Sequence, residues 1–188
     1  EALDEMLRQR LIDESWGTTA RDYAFTHHKI QETVYAGMPR RHRQQAHAQA
    51  GIAMEQLHMP ETEELAGELA FHFREGMQHD KALTEKAIEY LLKAADLARL
   101  AYAQHEAVDY YQQALRILRK QHAYEGVART LMALGLTYQS AFQFAQARQA
   151  YEEGFDMWQR ASGMEPAIAP LPAPHPLRVH LACPATLD

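Results

Sequence analysis

The chain has 188 residues, of which 47% are hydrophobic and 23% charged, with a formal net charge of −6. That length suffices for one or two small domains with a sizeable core, and the acidic balance argues against generic nucleic-acid binding, which needs a broad basic face. Cys183 is the sole cysteine, so stability must come from packing rather than a disulfide, and a cytoplasmic location is expected. No run of about 18 apolar residues is present, and no signal peptide is recognisable. The chain opens on Glu1 rather than Met and reads as a fragment of a longer protein.

Residues 2–10 fit an amphipathic helix with Leu3, Met6 and Leu7 on one face. Leu11-Ile12 and Tyr23-Ala24-Phe25 flank a polar stretch with Gly17, Thr18 and Thr19, which predicts two short strands around a turn. Residues 27–37 turn helical, with Ile30, Val34 and Met38 on one side. Pro39 suits the first turn of the next helix, 40–58. Met59-Pro60 breaks it. The acidic residues Glu61, Glu63 and Glu64 then favour a helix start. Further helices are predicted at 62–76, 80–101, 104–121, 123–140 and 143–162, with short connections that imply antiparallel neighbours. Five prolines between Pro166 and Pro176 predict an extended linker over 163–176. Residues 177–188 alternate like a strand and read as the truncated start of a further domain.

A repeat runs through the helical part. Leu131, Leu134, Gly135 and Tyr138 are followed by Ala147, Tyr151 and Gly154, so that small residues allow close helix approach beside large ones. Leu91, Ala94, Ala95 and Ala98, then Ala107, Tyr111 and Ala114, repeat the pattern. The offset from Ala107 to Ala147 is 40, which assigns about six extra residues to the connection at 120–126. A degenerate unit uses Ala66, Leu69, Ala70 and Phe73 as a first helix and Ala87, Leu91 and Ala94 as a second. Over residues 62–162 the chain resembles the tetratricopeptide family. The resemblance implies an all-α fold, an antiparallel helix-hairpin right-handed superhelix.

A second resemblance lies in the N-terminal segment, residues 1–58. Leu3-Asp4-Glu5-Met6-Leu7, Leu11-Ile12, Tyr23-Ala24-Phe25-Thr26-His27, Ile30 to Tyr35, Arg40-Arg41-His42-Arg43 and His47 together are similar to the winged-helix end of bacterial signal-transduction ATPases with numerous domains. The resemblance implies a lost upstream ATP-binding domain. This chain has no G-x4-G-K-[ST] phosphate loop, so no cofactor is expected in it and any ATPase activity lies outside it. Residues 177–188 are similar to the first strand of periplasmic peptide-binding proteins of transporters.

No catalytic residues are expected. The eleven histidines include His27-His28, which diverge on a helix, His42 and His47 five apart, and His72 and His79 seven apart. None has the i,i+4 spacing that brings two imidazoles to one zinc ion, so no metal is expected. Cys183 reads as a small apolar residue. Glu152 and Glu153 read as a solvated face. Arg40, Arg41 and Arg43 suit salt bridges at a domain interface. In tetratricopeptide superhelices the first helices line the concave face. On this register that face comprises Phe71, Arg74, Glu89, Leu92, Asp96, Arg99, Arg129, Met132, Leu136 and Gln139. Leu92 and Asp96 stand where the family's Lys/Asn clamp for a terminal carboxylate would be, which favours an internal or intramolecular segment. The expected function is that of a protein-binding regulatory module of a signalling ATPase or transcriptional regulator, holding a protein or peptide partner or its own ATPase domain. Neither nucleic acid nor membrane is an expected partner. The alternative is a structural spacer joined to a peptide-binding transport-type domain.

Overall fold

The computed structural model describes residues 2–16, 21–58 and 62–163. The expected linker and the strand-like 177–188 lie outside the described residues, as does the turn at 17–19. Helix α1 (Ala2–Arg8) leads into strands β1 (Ile12–Trp16) and β2 (Arg21–Phe25), an antiparallel pair with Ile12 opposite Phe25. The Thr26 hydroxyl donates to the carbonyls of Arg10 (2.9 Å) and Leu11 (3.2 Å), tying the far end of the hairpin to its start. Helix α2 (His28–Gly37) buries none of its residues.

Six helices then follow: α3 (Arg40–His58), α4 (Ala66–Gly76), α5 (Thr84–Leu100), α6 (Gln104–Lys120), α7 (Tyr124–Ser140) and α8 (Phe144–Ala161). Each packs on the next in sequence, as short connections dictate. Helix α4 starts at Ala66 rather than 62. Residues 63–65 form a turn whose Glu63 carbonyl accepts the Ala66 N–H at 3.1 Å, and Thr62 is buried. Helix α5 starts at Thr84 rather than 80 because the Asp80 carboxylate accepts the Ala82 N–H at 2.9 Å, capping a separate 3-10 turn, Lys81–Leu83.

Two expectations about the stack are corrected. Helix α3 was grouped with the N-terminal segment, yet its Ala48 and Gly51 are buried against α4. Its Glu55 accepts the Tyr90 hydroxyl of α5 at 2.9 Å and pairs with Lys86. The stack therefore begins with α3, and α4 is a second helix rather than a first. In keeping with that alternation, α4 lines a recess with α6, to which α3 adds only Arg40 at its start, and α5 lines one with α7. The six extra residues are also not in a connection. The α6–α7 turn is only residues 121–123, and the added length is helical. The apolar pattern explains this: Ile117 and Leu118 at the end of α6 and Val127 at the start of α7 are all buried, so the longer arms keep burying surface.

The small and large positions pack as pairs. Ala107, Tyr111 and Ala114 are fully buried, as nearly are Leu131, Leu134, Ala147, Gly135 and Gly154, while Tyr138 and Tyr151 are half-buried. A Cβ at Gly135 would lie 2.7 Å from Tyr151 Cδ1 and one at Gly154 3.3 Å from Leu131 Cβ. These glycines set the α7–α8 separation.

The three-residue turns between α5, α6, α7 and α8 share one geometry. Tyr102, His122 and Phe142 have φ of 59°, 55° and 58°. In each turn this residue's N–H bonds three residues back and the next N–H five back, as in Ala103 N–H to Ala98 O at 2.8 Å. That is the Schellman arrangement, whose left-handed position usually falls to glycine. Here bulky rings occupy it, at a cost of roughly 1 kcal/mol each.

Candidate functional site

One surface with exposed apolar side chains lies between the C-terminal ends of α5 and α7. Leu100, Tyr102, Leu136 and Phe142, with Arg99, Gln139 and Ser140, line a recess of about 500 Å³. Tyr102 is 79% and Phe142 81% exposed. Helix periodicity places Leu136 there. The two turns place the rings, since α5–α6 and α7–α8 reverse at the same end of the stack. Backbone strain that holds an exposed aromatic outward is a cost that packing does not recover.

The ten residues expected to line one groove are divided among several surroundings. Arg99, Leu136 and Gln139 share the recess just described. Gln139 also accepts the Tyr151 hydroxyl at 2.9 Å. Arg129 and Met132 lie instead in a recess at the outer side of α7 and α8. Phe71 and Arg74 lie on the α4–α6 side, where Arg74 donates to Gln113 of α6 and its guanidinium sits 5.4 Å from the Phe71 ring. They do not join the α5–α7 surface, because α4 is a second helix. Glu89 pairs with Lys93 at 2.8 Å and Leu92 packs against the core.

Asp96 and Arg99 have an internal task. The buried Tyr111 of α6 donates its hydroxyl to Asp96 Oδ1 at 2.5 Å, and Arg99 lies 3.6 Å from the same oxygen. Burial, then the hydrogen bond to Asp96, push the Tyr111 hydroxyl up to about 12. The cluster pins α5 to α6, so Asp96 and Arg99 are partly spent on the fold.

A further constellation joins helices distant in sequence. Tyr35 Oη lies 2.9 Å from His47 Nε2, and His47 Nδ1 lies 3.1 Å from His72 Nδ1. The Phe71 ring meets His47 edge-on at a centroid distance of 5.0 Å. One proton fits between the facing Nδ1 atoms; two would oppose. Burial lowers the pKa of His47, with Arg43 and Arg74 adding to this and Glu75 opposing. Burial and then His47 lower that of His72. Spacing within single helices could not reveal this pair, since its members are 25 residues apart on α3 and α4. Among the described residues, no three His, Cys, Asp or Glu side chains gather as metal ligands.

Both histidines favour the neutral form in the fold, so their contribution is complete above pH 6.5 and is lost as pH falls below it, where the unfolded chain takes up protons first. A His47→Phe, His72→Phe variant is expected to lose less thermal midpoint between pH 7 and pH 5 than the parent. Equal losses, measured by circular dichroism melts, would refute the assignment.

Among the described residues, no helix is long and apolar enough to cross a membrane. A family model described as tetratricopeptide repeat matches residues 104–160, which span α6, α7 and almost all of α8. No curated protein and no solved structure matches the chain. Residues 104–160 are thus similar to tetratricopeptide repeats, a class of repeat that generally mediates protein–protein interaction.

Proposed function

We propose that the chain is a protein-binding module that holds an extended or helical segment of a partner on the surface shared by α3, α5 and α7, the concave side of a right-handed superhelix. The observation that carries the reading is the α5–α7 recess, with Leu136 exposed and two aromatic rings held outward by left-handed turns. Helical-repeat stacks offer such surfaces to apolar anchors. The resemblance of residues 1–58 to a winged-helix junction supports placing the module in the regulatory arm of a cytoplasmic signalling ATPase or transcriptional regulator. Its partner there is another protein or the ATPase domain itself, and its catalytic work is done elsewhere.

Peptides selected from a displayed random library against the chain would test this. Replacing Tyr102 and Phe142 by glycine removes both rings and relieves the left-handed strain. The Tyr102→Gly, Phe142→Gly variant is expected to melt no lower than the parent while binding the selected peptides about 10-fold more weakly or worse, roughly 1.4 kcal/mol. Peptides that bind parent and variant equally would refute the site.

A further inference from the structure

Phe155 and Trp158 of α8 are 49% and 47% exposed. A shift of forty residues relates them to Leu115 and Leu118 of α6, which are 3% and 6% exposed. The same shift relates Tyr151 to Tyr111, Gly154 to Ala114 and Met132 to Leu92. What buries the α6 pair is the next first helix. Leu115 and Leu118 belong to one core cluster with Val127, Leu131 and Leu134 of α7, and a Cβ at Gly126 would lie 2.9 Å from Leu118 Cδ2. One unit earlier, Phe73 of α4 stacks on Tyr90 of α5 at 5.4 Å. Both internal surfaces of this kind are therefore filled by an amphipathic helix. The third, on α7 and α8, is an open recess of about 1000 Å³ lined by Met132, Tyr151, Gly154, Phe155 and Trp158, among others. Phe155 and Trp158 stack on one another, centroids 6.0 Å apart.

We propose that this open side of the α7–α8 pair docks an amphipathic helix of another polypeptide, seated as α7 seats on α6. The internal interfaces specify its chemistry. The seated face of α7 reads Val127, Thr130, Leu131, Leu134, an i, i+3, i+4, i+7 pattern without charge. The occupant carries that spacing with small or aliphatic side chains and leaves its charges on the far face. The sequence just past α8 has five prolines from Pro166 to Pro176 and does not suit a helix interior. In a second copy, the apolar faces by which α5 and α7 pack in the stack are already buried. The surface differs from the α5–α7 recess, so each can fail alone.

The probe is a peptide of the Tyr124–Ser140 sequence with Arg129→Lys, lactam-bridged between the Glu125 carboxyl and that lysine's amine, since a short free helix is marginal in water. In a Trp16→Phe background, Trp158 emission reports on the surface. A saturable blue shift is expected. It should be absent with a peptide whose Leu131 and Leu134 are glutamate, and weakened about 30-fold by Phe155→Asp, as for loss of an aromatic anchor. Leu136→Glu should leave it unchanged. No shift with the helical peptide would overturn the proposal. A shifted emission before peptide that disappears on truncation after Gly163 would overturn it in favour of the chain's own tail. Emission that shifts with protein concentration alone would overturn it in favour of a second copy, whose exposed α2 carries the related spacing Ile30, Thr33, Val34, Gly37.

Discussion

Gly76→Ala is expected to lower stability by about 3 kcal/mol or more, the upper part of the overpacking range. A methyl at position 76 would lie 2.7 Å from Ala48 Cα and 2.9 Å from Ala48 N. Those are backbone atoms in the middle of α3, so no rotamer change relieves the overlap. Either α3 and α4 separate, exposing Ala48, Gly51 and Phe73, or α4 frays at its last turn. Gly76 needs no left-handed backbone, so close approach is the whole reason for glycine there. Gly135→Ala makes a useful contrast. Its methyl would meet the half-buried Tyr151 ring, which can swing outward if it gives up the hydrogen bond to Gln139. A loss of about 1–2 kcal/mol is expected there. Urea denaturation of both variants should rank Gly76→Ala as the more damaging. The reverse order would mean that α3 is loosely held.

The pattern of small residues made the α5–α8 stack legible. Ala107, Ala114, Ala147 and Gly154 recur at spacings that only closely packed antiparallel helices require, and each of them is buried. The packing of helix α3 is hard to read because its sequence is polar, with His47, Ala48 and Gly51 as its only buried residues. A helix that meets its neighbour through alanine and glycine shows little apolar periodicity. Grouping α3 with residues 1–58 makes α4 a first helix, and puts Phe71 and Arg74 on its face. Leu136, Gln139 and Arg99 share one recess because helical spacing determines the face of a helix already identified. Tyr102 and Phe142 were missed for a different reason. The left-handed turn position is signalled by glycine or asparagine, and a ring there carries no such sign. His47 and His72 meet through tertiary packing alone.

Phe73→Ala should cost about 3–5 kcal/mol, as for other fully buried aromatics. The ring stacks on Tyr90 and carries Lys86 above it at 5.5 Å. It also touches α3, since a Cβ at Gly51 would lie 3.2 Å from Phe73 Cδ1 and Cε1, and as close to His72 Cβ. That contact turns a stability measurement into a test of architecture. Gly51→Ala alone tightens a contact already close, and helix propensity gains up to about 1 kcal/mol, so its net effect is small in either direction. In a Phe73→Leu background the ring contact is relieved while the one to His72 Cβ stays, so Gly51→Ala should become more favourable than in the parent. The two substitutions should thus couple by about 0.5–3 kcal/mol in a double-mutant cycle, the range for residues sharing one contact. Additive effects would separate α3 from the stack and return it to the N-terminal segment. Coupling of the expected sign makes α3 the first helix of three hairpins. It also joins α2 to the stack mechanically, because Tyr35 meets α3 at His47 and under the Arg43 guanidinium, 5.1 Å from its ring. A change in how α2 is held would then reach α4 through the His47–His72 contact, at the end of the stack away from the open α7–α8 surface.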